Sequence, residues 1–230
     1  MIALYERDLM GMSQLFAQLL SISRVKACLR LNLLALLLII CFNTIAVAKD
    51  MHTGSAVISH LNDNLLATMK NAKTLGYSGR YKMLDKVIGE THDLAKIARF
   101  SVGRKNWGEM SEQQQKKFVD EFHRYSIATY VDRFNGFGGE TFKTISEQSL
   151  PRGRVLVKSL LRSPEYGVVN FDYILDQDDA GKWKIINIMA DGVSDLALKR
   201  AHYTDVIKQK GIDALIAELI AKTEKYTAKK

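Results

Sequence analysis

Apolar side chains recur every three or four residues in the first part of the chain, which is the spacing of one helix face. A first amphipathic helix is predicted over residues 57–69, and Gly76 and Gly79 are predicted to end it. Two shorter helices are predicted over residues 81–88 and 94–103. The first third of the mature chain is therefore expected to be helical.

The longest predicted helix begins after Ser111. Ser111 and Gln114 have the spacing of a capping box, in which each side chain satisfies the other's backbone N–H. An apolar stripe follows on one face, and the segment 135–139, which contains three glycines, ends the helix. The stripe consists of Phe118, Phe122, Tyr125 and Thr129, and it is widened by Ile127, Tyr130, Val131 and Phe134.

Four strands are predicted next, over residues 140–146, 154–161, 165–175 and 183–189. Apolar and polar residues alternate in the third strand, so one sheet face should be apolar and the other partly hydrated. Short connections favour antiparallel pairing. Helices, then strands, then helices give an α+β fold, with an antiparallel sheet of about four strands packed by N-terminal and C-terminal helices.

The stretch from Gly181 to Leu219 has the most specific pattern. A strand containing Trp183 leads into the turn Asp191-Gly192-Val193-Ser194, and two helices follow, separated at Lys210-Gly211. Ser194 or Asp195 can cap the first of these helices. This order resembles the C-terminal signature of the MlaC family of periplasmic lipid carriers, also called toluene-tolerance auxiliary proteins.

The resemblance extends over about residues 94–219 and includes Trp107 after Phe100-Ser101-Val102-Gly103. Three segments, at 77–81, 101–104 and 134–137, are most similar to the hopanoid-associated, HpnM-like branch. Asp191 replaces the usual glutamate before Gly-Val-Ser. The family implies a periplasmic protein without catalytic residues. Such a protein passes phospholipid between an outer-membrane lipoprotein complex and an inner-membrane ABC transporter with an MCE-domain protein, which underlies outer-membrane lipid asymmetry.

Residues 1–48 have the pattern of a signal peptide. Basic residues precede an apolar run over 33–47, which ends in the small-x-small sequence Ala46-Val47-Ala48. The mature protein is then expected to be a single lipid-binding domain, residues 49–230, exported to the periplasm. The alternative is an uncleaved membrane helix, but the apolar run is short for one.

Removing the leader changes the composition. Both cysteines, Cys28 and Cys41, lie within it, so thiol catalysis and cysteine metal sites are excluded for residues 49–230. Of the 33 basic and 25 acidic residues, the leader holds four and two, which leaves a net charge of +6. This charge suits anionic lipid or an acidic partner, although it also suits an ordinary soluble surface. The basic residues are dispersed among acidic ones, so nucleic-acid binding is not expected.

The sequence contains no motif of hydrolases, metalloproteases, phosphate loops or dinucleotide sites. Its five histidines are scattered and none has ligand spacing to another. Asp176, Asp178 and Asp179 lack calcium-site spacing and indicate a solvated turn. No enzyme activity, metal or cofactor is therefore expected. An exported hydrolase or isomerase on a cone-shaped α+β scaffold remains the alternative.

A lipid carrier must enclose its ligand. The about 28 methylenes of a diacyl lipid gain roughly 20 kcal/mol by leaving water, so free diffusion is negligible. A cavity between helices and sheet would enclose the chains of phospholipid or hopanoid in a monomeric protein, although the same apolar residues also suit an ordinary core. The predicted lipid-binding residues are Phe118, Phe122 and Tyr125 on the long helix, Val155, Val157, Val169, Phe171, Tyr173, Ile186 and Ile188 on the sheet, and Val193 and Leu196 near the mouth.

Overall fold

The computed structural model describes residues 52–165 and 167–228. The predicted signal peptide and both cysteines lie outside these residues. Four helices, five strands and two further helices follow one another, which confirms the predicted α+β class. The helices are α1 Gly54–Lys70, α2 Ala72–Thr91, α3 Leu94–Glu109, α4 Glu112–Arg133, α5 Asp195–Lys210 and α6 Ile212–Ala228. The strands are β1 Thr141–Leu150, β2 Arg154–Ser163, β3 Gly167–Gln177, β4 Trp183–Ala190 and β5 Val193–Ser194.

Glycines bend two of the N-terminal helices. Gly76 has φ 57° and Gly103 has φ 76°, a region that costs glycine little. Helix α2 continues from this bend through Gly79 to Thr91, so the predicted break at Gly79 was wrong. Helix α3 likewise continues beyond Gly103 to Glu109. A glycine with helical dihedral angles leaves the backbone ladder intact, and the sequence does not distinguish it from one with positive φ.

The sheet has the order β1-β2-β3-β4-β5, and every neighbouring pair is antiparallel. Strand β5 was not predicted, because two residues are too few for a periodic signal. It pairs with β4 across the tight turn Asp191-Gly192, where φ is 47° and 81°. Asp191 Oδ1 also accepts hydrogen bonds from the backbone N–H and the amide of Asn170 on β3, both at 2.9 Å. The chain is thereby turned back toward the sheet just before α5 begins.

Helices pack on one sheet face and against each other, which produces two apolar clusters. The first cluster joins α1, α2 and the C-terminal part of α4 to the sheet, and its members include Ile58, Leu61, Ile127 and Leu175. The second joins α3, α4, α5 and α6 away from the sheet, through residues such as Phe118. Among the helices of the described residues, none combines the length and apolar composition of a membrane span.

Candidate lipid-binding cavity

A cavity of ≈ 620 Å³ lies where the two apolar clusters meet. Leu61, Leu65 and Tyr173 of the first cluster line it, as do Ile97 and Phe122 of the second. All five side chains are nearly inaccessible to bulk solvent. The remaining lining residues are His92, Leu94, Tyr125, Ser126, Thr129, Tyr130, Arg133, Phe134, Phe142, Leu161, Phe171, Asn187, Ile188, Ala190, Val193, Asp195, Leu196, Leu198, Lys199, His202, Tyr203, Lys222 and Tyr226.

The register of the sheet builds the cavity floor. Tyr173 in β3 lies between Val157 of β2 and Ile188 of β4. Because side chains alternate across a strand, Phe171, two residues earlier, points to the same face as Tyr173. Their rings are 5.9 Å apart. The sheet therefore presents a row of large side chains to the helices.

Helix α4 forms the opposite wall. The predicted capping box is present, with Ser111 Oγ accepting from the N–H of Gln114 at 3.2 Å and Gln114 Oε1 accepting from the N–H of Ser111 at 3.1 Å. On the helix that begins here, Phe122, Tyr125 and Thr129 face the cavity. The stripe is thus used in part to line open space and in part to fill the core.

Seven of the twelve residues predicted to bind lipid line the cavity. They are Phe122, Tyr125, Phe171, Tyr173, Ile188, Val193 and Leu196. Val193 is 54% exposed, which places it at the opening, as expected for the turn before α5. The structure therefore gathers the long helix, the sheet and the turn around one space.

Phe118, Val155 and Val157 do not line the cavity. Phe118 is fully buried one turn before Phe122, where its ring packs edge-on against Tyr203 at 6.2 Å. Val155 and Val157 lie beneath the first turn of α1. A Cβ added to Gly54 would be 2.7 Å from Val155 Cγ2 and 3.1 Å from Val157 Cγ2, so no open space remains there.

Val169 and Ile186 are also absent from the cavity lining. Val169 is half-buried and pairs with Leu161, which does line the cavity. Ile186 is buried at an irregularity of β4, where Leu175 pairs with Ile185 and the preceding Ile174 pairs with Asn187. Ile186 is the extra residue of this β-bulge, which strict alternation along the strand does not predict.

Several lining residues were not predicted from the sequence. Leu61 and Leu65 of α1, Tyr203 of α5 and Tyr226 of α6 come from elements distant in the chain. Their helical spacing indicated a buried face, but it did not indicate which element that face would contact. His92 is one of five scattered histidines, and no spacing in the sequence distinguishes it from the others.

Basic side chains surround the cavity opening. Arg133, Lys199, His202 and Lys222 all line it, together with the carboxylate of Asp195. Asp195 accepts a hydrogen bond from Lys199. In the described part of the chain, no carboxylate pairs with the Arg133 guanidinium.

Glu218 holds two of these basic side chains in place. It lies 2.6 Å from Lys222 Nζ and 2.7 Å from His202 Nε2. Burial raises the pKa of Glu218, but the hydrogen bonds and charges of Lys222 and His202 together lower it by more. The pKa of Glu218 therefore lies below its ordinary value. The acid is ionised at neutral pH, and the opening keeps an excess of positive charge through Arg133.

A buried histidine forms part of the wall. His92 is 5% exposed, and its two ring nitrogens lie 2.8 Å from Thr91 Oγ1 and 3.0 Å from Tyr130 Oη. Burial, and secondarily the charge of Lys184, lowers its pKa to about 3. The imidazole is therefore neutral at physiological pH. Within the residues that the structure describes, no three His, Cys, Asp or Glu side chains converge as metal ligands.

Comparison with known proteins agrees with this architecture. A family model described as "MlaC protein" matches residues 59–221. The chain belongs to the MlaC family. The predicted resemblance is thus confirmed at the level of the family, whereas membership of the HpnM-like branch stays a prediction. Family membership and the cavity together support a lipid-binding protein rather than an enzyme.

A solved structure has a similar fold. It is the phospholipid-binding protein from Ralstonia solanacearum in complex with a phospholipid, at a TM-score of 0.66 and 21% sequence identity. The match covers 76% of this chain and 98% of the other. No curated protein matches this chain significantly.

Proposed function

We propose that this protein is a periplasmic phospholipid carrier of the MlaC family. In this role it takes lipid between the outer membrane and an inner-membrane transporter of the MCE/ABC type. One observation carries the proposal: an apolar cavity, enclosed by the sheet and by α4, opens at a positively charged mouth. This arrangement suits a molecule with apolar chains and an anionic head.

The size and lining of the cavity support a lipid ligand. Its ≈ 620 Å³ lies within the range of about 300–1,000 Å³ of small-molecule sites. Apolar side chains such as Leu65, Ile97 and Phe171 form most of the enclosed part. Each methylene that enters gains about 0.8 kcal/mol over water, so acyl chains would be held strongly.

The charges at the mouth support an anionic head group. Arg133 has no carboxylate partner among the described residues, and its planar guanidinium is suited to bidentate contact with phosphate. Lys199 and Lys222 are partly neutralised by Asp195 and Glu218. A phosphate at the opening would thus meet Arg133 first.

The related structure supports the same ligand class. The protein from Ralstonia solanacearum was solved with a phospholipid bound, and the match to it covers nearly all of that chain. A hopanoid is the other ligand that the family resemblance allows. It would suit the apolar lining of the cavity, but it would not require the basic side chains at the opening. Phospholipid is therefore the ligand that we propose.

Location and partners follow from the predicted leader and charge. An export signal over residues 1–48 would release residues 49–230 into the periplasm as a monomer. The net charge of +6 would favour docking on an acidic face of the MCE protein, on an outer-membrane lipoprotein complex or on anionic lipid, mainly by raising the association rate. N-terminal sequencing of exported protein tests the first step, since retention of residues 33–47 in a membrane fraction contradicts it.

Native mass spectrometry of protein purified from cells without detergent tests the ligand. We expect a bound species with the mass of a phospholipid, which disappears after solvent extraction and returns when phospholipid vesicles are added. If the bound species is a hopanoid, the proposed ligand is wrong but the proposed carrier function stands. Protein that leaves cells without lipid and takes up none from vesicles contradicts the carrier function.

A further inference from the structure

Two tyrosine hydroxyls in the cavity wall have no protein partner. Tyr173 on β3 is 3% exposed and Tyr203 on α5 is 2% exposed, and both residues line the cavity. Among residues 52–165 and 167–228, no group forms a hydrogen bond with either hydroxyl. The neighbouring Tyr130 differs, because its hydroxyl is bonded to His92.

These hydroxyls are not sealed inside the protein. In the described residues, some polar side-chain atoms are completely buried and have no hydrogen-bond partner, such as Asn62 Oδ1 and Arg80 Nε. The hydroxyls of Tyr173 and Tyr203 are not completely buried in this way. Both hydroxyls therefore reach the open space of the cavity. A hydroxyl removed from bulk water and lacking an acceptor is unfavourable, so the cavity contents must supply one.

The hydroxyls lie toward the polar end of the cavity. Tyr203 follows His202 directly on α5, and both residues line the cavity beside the charged groups of the opening. Tyr173 pairs with Ile188 of β4, two residues before Ala190, which pairs with Val193 at the opening. Both tyrosines thus lie between the charged opening and the deeper apolar lining that Leu61 and Leu65 provide.

A glycerophospholipid has acceptor oxygens in the matching place, because its ester carbonyls lie between an anionic head and apolar chains. We propose that the Tyr173 and Tyr203 hydroxyls donate hydrogen bonds to ester oxygens of the bound lipid, which selects ester-linked glycerolipids over ligands whose chains lack carbonyl groups. This inference rests on the proposed function. It explains why a cavity for hydrocarbon contains two buried donors.

A pair of lipids that differ only at the linkage tests the inference. Phosphatidylglycerol with two oleoyl ester chains and its dioleyl ether analogue have the same head and chain length, but the ether lacks carbonyl oxygens. We expect the wild-type protein to bind the ester lipid about three- to tenfold more tightly, the typical net effect of a buried hydrogen bond. Competitive displacement of a fluorescent phospholipid measures both affinities.

Hydroxyl removal then assigns the effect to these residues. The double variant Tyr173→Phe/Tyr203→Phe should lose the preference by binding the ester lipid more weakly, while its affinity for the ether lipid stays the same. Its thermal midpoint should be unchanged or higher, since neither hydroxyl bonds to protein. Tyr81→Phe is the matched control, because Tyr81 is half-buried outside the cavity lining, and it should keep the full preference.

Each outcome has a distinct meaning. If the wild type binds the two lipids equally, for example because water satisfies the hydroxyls, the inference is overturned. The proposed carrier function is unaffected by that result. The same holds if the double variant retains the preference or loses affinity for both lipids alike. If the folded wild-type protein binds neither lipid, the proposed function itself fails.

Discussion

His92 Nε2 lies 3.0 Å from the hydroxyl of Tyr130, and the histidine tautomer makes Nε2 the acceptor in this contact. Thr91 donates its one hydroxyl proton to the carbonyl of Val87 at 2.7 Å, so Thr91 Oγ1 can only accept from His92 Nδ1. Nε2 is then unprotonated and accepts from Tyr130. The neutral imidazole is satisfied at both nitrogens, and an added proton would remove the acceptor of Tyr130.

Protein stability should therefore fall at acidic pH. The unfolded chain binds a proton at His92 near its ordinary pKa of 6.5, whereas the folded chain does so only near 3. The contribution of neutral His92 to the free energy of unfolding is complete above pH 6.5. It is lost as the pH falls from about 6.5 to 3, by up to about 1.4 kcal/mol per pH unit. Urea unfolding at several pH values measures this slope.

His92→Gln should flatten that slope, because glutamine does not titrate. His123→Gln is the control, since His123 lies at the half-exposed surface beside Asp85, and it should retain the His92-dependent loss. Equal pH dependence of wild type and His92→Gln would contradict a neutral, buried His92.

A carboxylate placed in the cavity should affect lipid binding and folding differently from one placed in the core. Phe171→Asp faces open space, where water can solvate the new charge, so we expect a folded protein that no longer co-purifies with lipid. Val157→Asp is the comparison, because Val157 is fully buried beneath Gly54. Burying its charge should cost several kcal/mol and unfold the protein.

Thermal melting and bound-lipid content of the same samples decide this prediction. Folded Phe171→Asp that keeps its lipid would show that the chains lie elsewhere. If both variants merely unfold, the region around Phe171 behaves as close-packed core.

The contact between α1 and the sheet should not tolerate an added methyl group. In Gly54→Ala the new Cβ would lie 2.7 Å from Val155 Cγ2, so α1 or β2 must move, at a cost of about 1–3 kcal/mol. Gly89→Ala is the opposite case. Gly89 lies within α2, and beyond its chain neighbours and the backbone of its own helix no heavy atom lies within 4 Å of its Cβ position, so the change should stabilise the helix by up to about 1 kcal/mol. Chemical denaturation of both variants tests the contrast, and a harmless Gly54→Ala would contradict the close approach.

Arg133 should contribute to the binding of anionic lipid. Arg133→Gln is expected to weaken binding of phosphatidylglycerol by up to about fivefold, or ~1 kcal/mol, because the group is exposed and screened. Lys105→Gln removes the same charge from a surface site outside the cavity and should have little effect. The difference should shrink as salt rises from low to physiological concentration. Equal losses in the two variants would mean that only net charge acts.

The local elements followed closely from the sequence. The capping residues Ser111 and Gln114 and the glycine at 211 mark helix ends through backbone chemistry that depends on neighbouring residues alone. Strand alternation likewise indicated which face of β3 would be apolar. Such features are decided within a few residues along the chain, so the order of elements and the α+β class could be predicted.

The cavity was decided only by the tertiary structure. Phe118 and Phe122 occupy equivalent positions in the apolar stripe of α4, and the sequence does not distinguish them. In the structure, Phe118 fills the core beside Tyr203, whereas Phe122 lines the cavity. Val157 and Tyr173 are paired across the sheet, but Val157 packs beneath Gly54 of α1, whereas Tyr173 lines the cavity. An apolar side chain gains free energy by leaving water in either place. Periodicity therefore determines that these residues are buried, while the spacing of helices brought together from distant parts of the chain determines whether they meet protein or a ligand.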